Sequence, residues 1–119
     1  MVIPVQVTFR NMSTSRALEA AIHKRAEKLE RFHPRILGCR VAVEAARHRH
    51  MKGNVFHVRV DVIVAHGELV ASSDTTAPTP HENAYMALRD AFDEVRRRLE
   101  DHARRLRGDV KAHSIRRAG

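Results

Sequence analysis

A chain of 119 residues, 43% of them hydrophobic, supports one domain with a real core and is too short for two. Its formal charge of +8 points to a polyanionic partner, and 18 of its 22 cations are arginine, whose planar fork binds phosphate oxygens in pairs. No run of about 18 apolar residues and no basic-then-apolar leader is present, and the single Cys39 excludes an internal disulfide, so the expectation is a cytoplasmic chain without a membrane partner.

Along the chain, Ile3, Val5, Val7 and Phe9 alternate with polar residues and predict a half-buried strand. Thr14 or Ser15 then caps a helix in which Leu18, Ile22, Ala26, Leu29 and Phe32 recur at helical spacing until Pro34. The period returns to two between Arg35 and Arg47, with Cys39, Val41, Val43 and Ala45 on one face. Lys52-Gly53-Asn54 reads as a turn into a third strand, whose inward residues are Phe56, Val58, Val60, Val62 and Val64. His66-Gly67 predicts a tight hairpin into a short fourth strand, Glu68–Ala71, with residues 72–79 as loop. Thr79-Pro80-His81-Glu82 starts a second helix, with a cap, proline at the first helical position and a glutamate three residues after the cap. Its stripe of Tyr85, Leu88, Phe92, Val95, Leu99 and Leu106 predicts a long helix ending near Gly108.

The order is β-α-β-β-β-α, and each element has one apolar face. The expected fold is therefore α+β, a four-stranded, largely antiparallel sheet with both helices packed on one face. Residues 1–107 read as the domain and 108–119 as a flexible basic tail. No internal repeat is evident.

The charge is unevenly placed. On the first helix Lys24, Lys28 and Arg31 line up beside the apolar stripe, and Arg25 sits at its edge, where a snorkelling stem competes with a binding role. After residue 95 come nine cations against three acids. The helix dipole and an ordinary solvated face account for two or three arginines there, and for nine poorly. Arg98 and Arg105 flank the stripe on one side, Arg89, Arg96 and Arg107 on the other, and Arg97 and Arg104 add to the cluster. The connection between strands two and three contributes Arg49 and Lys52. His48 and His50, followed by His57, raise a metal site; without a cysteine pair or a nearby carboxylate, phosphate or ribose contact suits that loop better. Cys39 falls among core residues, and nothing resembles a catalytic site, a cofactor loop or a small-molecule pocket. All five aromatics, Phe9, Phe32, Phe56, Tyr85 and Phe92, fall on inward faces, so recognition is expected to rest on shape and phosphate rather than base stacking.

The first-helix segment Lys24-Arg25-Ala26-Glu27-Lys28-Leu29-Glu30-Arg31-Phe32, then Arg35-Ile36, Gly67-Glu68, Tyr85-Met86-Ala87-Leu88 and Asp93-x-Val95-x-Arg97-x-Leu99, resemble the hibernation promoting factor and ribosome-associated inhibitor family in order and spacing. The likeness covers about residues 3–107. It implies a fold like a double-stranded-RNA-binding domain. It also implies a non-enzyme that docks on small-subunit ribosomal RNA in the messenger and transfer RNA channel and silences ribosomes under stress. Arg25, Lys28, Arg97 and Arg105 match basic positions of the family, whereas Glu94 and Asp101 stand where it commonly has lysine. Long forms of the family add a C-terminal dimerisation domain, which these residues do not contain. Two other readings stand beside it: a regulatory binder of free structured RNA, which the same charge supports, and a protein-interaction regulator of transcription, which an older naming tradition of the family suggests.

Overall fold

The structure, a computed structural model, describes residues 3–47, 54–65, 67–75 and 80–118, of which 46, 47, 54, 75, 80–83 and 108–118 are described in backbone only. Strand β1, Val5–Arg10, half-buries every second side chain as its alternation requires. Asn11 turns the chain with a positive φ of 57°, a conformation that asparagine tolerates better than most residues. Helix α1, Arg16–Phe32, starts at Ser15, whose Oγ accepts a hydrogen bond from the Leu18 backbone N–H at 3.2 Å. It stops at His33, whose N–H reaches the Leu29 carbonyl at 2.9 Å, just before Pro34.

Strands β2 (Gly38–Arg47), β3 (Asn54–Val64) and β4 (Gly67–Thr75) follow, then helix α2, Pro80–Ala118. The sheet order is β1-β2-β3-β4. Strands β1 and β2 are parallel and the other pairs antiparallel. A parallel pair needs a crossover, and α1 supplies it. Gly67, at φ +150°, opens β4 in a backbone region that favours glycine.

The register aligns apolar residues across the sheet: Val7 faces Val41, Val41 faces Val60, and Val60 faces Ala71. These rows pack under Leu18, Ile22, Ala26 and Leu29 of α1 and under Leu88, Phe92, Val95 and Leu99 of α2 in one core cluster. Helix α2 lies over β3 and β4, α1 lies beside β1, and the helices touch each other. Ala84, Ala87 and Ala91 are all buried, small side chains that let α2 approach its neighbours closely. Each fully buried aliphatic side chain contributes about 1.5–3 kcal/mol of transfer free energy, so rows of this kind fix the register.

Three expectations need correction. First, β4 runs to Thr75 rather than ending at Ala71, because Ser72, Ser73 and Asp74 pair in register with Arg59, Val58 and His57. A complete ladder partner outweighs the weak strand propensity of serine and aspartate. Second, α2 continues past Gly108 to Ala118. One glycine costs a helix about 1 kcal/mol, and the arginines and alanines around it are strong helix formers. Third, neither Leu106 nor Phe32 extends the buried stripe of its helix: they are 37% and 64% exposed. A helix of 39 residues spans about 58 Å, whereas the longest strand, of 11 residues, spans about 37 Å, so the end of α2 overhangs the sheet.

Candidate nucleic-acid interface

The molecule offers two broad surfaces, the open face of the sheet and the helical face. On the open face the charges pair with one another. Arg40 meets Glu68 at 2.6 Å, Arg59 meets Asp61 at 2.9 Å, and His57 hydrogen-bonds Asp74. The Asn11 amide donates to Glu44 at 3.4 Å. Exposed pairs of this kind add little stability, but among the described residues of that face they leave only the exposed Arg10 without an ion pair. Polyanions gain little there.

Helix α1 is different. Lys24, Lys28 and Arg31 are exposed and Arg25 is half-buried. None of the four forms an ion pair among the described residues. Glu30, the carboxylate beside Arg31, instead accepts a hydrogen bond from the Ile3 backbone N–H at 3.3 Å. The half-burial of Arg25 settles its placement at the edge of the stripe, with its stem over the core rim. Its spacing from Lys28 puts both on one shoulder of the helix.

Helix α2 carries more cations, but most are engaged within the helix. Glu94 sits between Arg97 at 3.3 Å and Arg98 at 3.5 Å. Asp101 pairs with Arg104, Glu100 lies 3.8 Å from Arg96, and Asp90 lies 3.4 Å from Arg89. Arg105 and Arg107 are exposed, with no ion pair among the described residues. The two carboxylates that depart from the family pattern thus engage three of the arginines expected to bind and offset two of their three charges. That interference was readable from sequence, since Glu94 precedes Arg97 and Arg98 by three and four residues, the spacing at which helical side chains meet.

Removing both carboxylates without changing shape is therefore expected to strengthen polyanion binding. An E94Q/D101N variant should bind ribosomal RNA about fivefold to tenfold more tightly at low salt, with a steeper salt dependence; titration of labelled RNA checks this. Unchanged affinity would mean that the α2 arginines stay out of contact.

The remaining groups are quickly placed. Arg49, Lys52, His48 and His50 lie outside the described residues. Among the described residues no three His, Cys, Asp or Glu side chains converge to hold a metal ion. Burial, with a smaller contribution from nearby Asp61, pushes the Cys39 thiol up to about 12, so it is a packed core atom and not a nucleophile at neutral pH. Among the described residues no helix is long and apolar enough to cross a membrane.

Comparison with known proteins bears on the arrangement. A ribosomal subunit interface protein from Coxiella burnetii superposes with a TM-score of 0.68 at 12% identity, covering 85% of this chain and 98% of that one. The N-terminal domain of Thermus thermophilus Protein Y superposes with a TM-score of 0.64 at 16% identity, covering 86% and 99%. At these identities the likeness is one of fold. No curated protein matches the chain by sequence. Residues 5–107 match the family described as Sigma 54 modulation protein / S30EA ribosomal protein. That match takes in all of β1 to β4, α1 and the sheet-bound part of α2, and the chain belongs to that family.

Proposed function

We propose that this protein is a cytoplasmic, non-enzymatic factor that binds the small ribosomal subunit and represses translation under stress. In this reading it contacts ribosomal RNA in the channel used by messenger and transfer RNA. The observation that carries the reading is the asymmetry of its surfaces. On the open sheet face Arg40, Arg59 and His57 are matched by carboxylates, while the helical face presents Lys24, Arg25, Lys28, Arg31 and Arg105 without them. A fold shared with proteins that bear the names ribosomal subunit interface protein and Protein Y supports the same partner.

Phosphate contact on this scale has a measurable signature. Five neutralised phosphates give a slope of log affinity against log salt of about −3.5 to −4.5. A fourfold rise in salt should then weaken binding to purified small subunits by about two orders of magnitude. Binding that is insensitive to salt, or no tighter to small subunits than to free structured RNA of equal length, would contradict the proposal. The second outcome would favour a regulator of free RNA.

A further inference from the structure

Among the aromatic residues one stands apart. Phe56 and Phe92 are buried, and Phe9 and Tyr85 pack against the core, as their positions on the apolar faces require. Phe32 does not: it is 64% exposed, the highest value among the large apolar side chains described. The stripe Leu18–Ile22–Ala26–Leu29 rotates His33 rather than Phe32 toward the core, and Ile36, only 3% exposed, closes that end. Phe32 is left on the shoulder of α1.

That shoulder is the one that carries the unmatched cations. Phe32 follows Lys28 by four residues and Arg25 by seven, which stacks the three side chains along one edge of the helix. Arg31 precedes it, and Arg35 and Leu37, both exposed, follow in the turn into β2. Single exposed apolar residues are ordinary. An exposed ring within a row of unpaired cations is the arrangement by which proteins hold unpaired nucleotides: the ring takes the base face and the cations take its phosphates. The C-terminal end of a helix carries partial negative charge, which disfavours a phosphate beside Phe32 itself and favours one farther back, near Lys28.

We propose that Phe32 is a stacking platform for an unpaired RNA base, whose backbone lies along Lys28 and Arg25. The inference rests on the RNA-binding reading above and deepens it. It also replaces the expectation that recognition dispenses with base stacking.

The chain contains no tryptophan, so F32W introduces a single indole at the site itself. Three measurements are made on the full chain: fluorescence of F32W with a short oligoadenylate and with small ribosomal subunits, affinity of F32L for the subunits across salt, and melting of both variants. The expected result is quenching of F32W by both RNAs. F32L should bind subunits about fivefold to a hundredfold more weakly, the range of one lost base contact, at an unchanged salt slope because no phosphate contact is removed. Both variants should melt near the parent because the ring is exposed. Wild-type affinity in F32L overturns the proposal. So does weakened F32L with F32W unquenched by oligoadenylate, which would make the ring a protein contact. Quenching by oligoadenylate in a protein that fails to bind small subunits would keep the stacking site and overturn the ribosomal reading alone.

Discussion

Reversing Arg25 and Lys28 together (R25E/K28E) is expected to weaken binding to small ribosomal subunits by about a hundredfold or more at low salt. Each loses a charge-assisted hydrogen bond of about 1.5–3 kcal/mol and places a carboxylate where a phosphate would lie. The informative control is R40E/R59E, which changes the net charge equally but on the opposite surface, where both arginines already face carboxylates. If binding followed overall charge alone, the two variants would weaken equally. If it depends on the α1 shoulder, the control should lose a few-fold at most. The half-burial of Arg25 adds a packing cost, so R25M/K28M is measured alongside. It keeps an apolar stem over the core rim and should still lose about tenfold. Equal losses in the sheet-face and helix-face variants, all folded, would dismiss the assignment of the site to α1.

The largest stability effect is expected at Leu88. It is 1% exposed, on the α2 face that lies over β3 and β4. Truncation removes the transfer free energy of its side chain and leaves a cavity that the surrounding valines fill incompletely. L88A should therefore cost about 2–5 kcal/mol, a fall in melting temperature of about 10–20 °C for a domain of this size. L106A is its counterpart within the same sequence stripe. Because Leu106 is 37% exposed on the overhanging part of α2, its truncation should cost about 0.5 kcal/mol or less. Similar melting losses at the two positions would mean that the overhang is packed against something in solution.

Much of this arrangement was legible in the residues themselves. The strand faces of β1, β2 and β3 follow from uninterrupted alternation, and burial of the row Cys39, Val41, Val43 and Ala45 matches the reading of the second strand. Phe56, Val58 and Val60 are buried in one cluster with Leu29 and Leu88, while Arg59 is exposed and His57 half-exposed. The helix cap at Ser15 and the start of α2 at Pro80 were equally visible, since both depend on local chemistry.

What was not legible depended on partners distant in sequence. Ser72, Ser73 and Asp74 are poor strand formers and join the sheet because β3 continues beside them. The exposure of Leu106 depends on where the sheet stops; that of Phe32 is the local exception, since the helix ends there and Ile36, four residues on, takes the buried place. The site divides the same way. The free cations of α1 were visible as a row, and the acid spacing that engages Arg97, Arg98 and Arg104 lay open in the sequence but counts only once the side chains are seen to meet.

The claim that α1 presents this protein to the small ribosomal subunit is tested most directly by sedimentation. Purified protein is mixed with purified small subunits, or separately with large subunits, and resolved on a density gradient at low and at fourfold higher salt. The account predicts that the protein travels with small subunits at low salt, is largely released at the higher salt, and stays behind in the R25E/K28E variant while R40E/R59E co-sediments. Protein that remains at the top of the gradient at low salt, or that travels equally with large subunits, would contradict it.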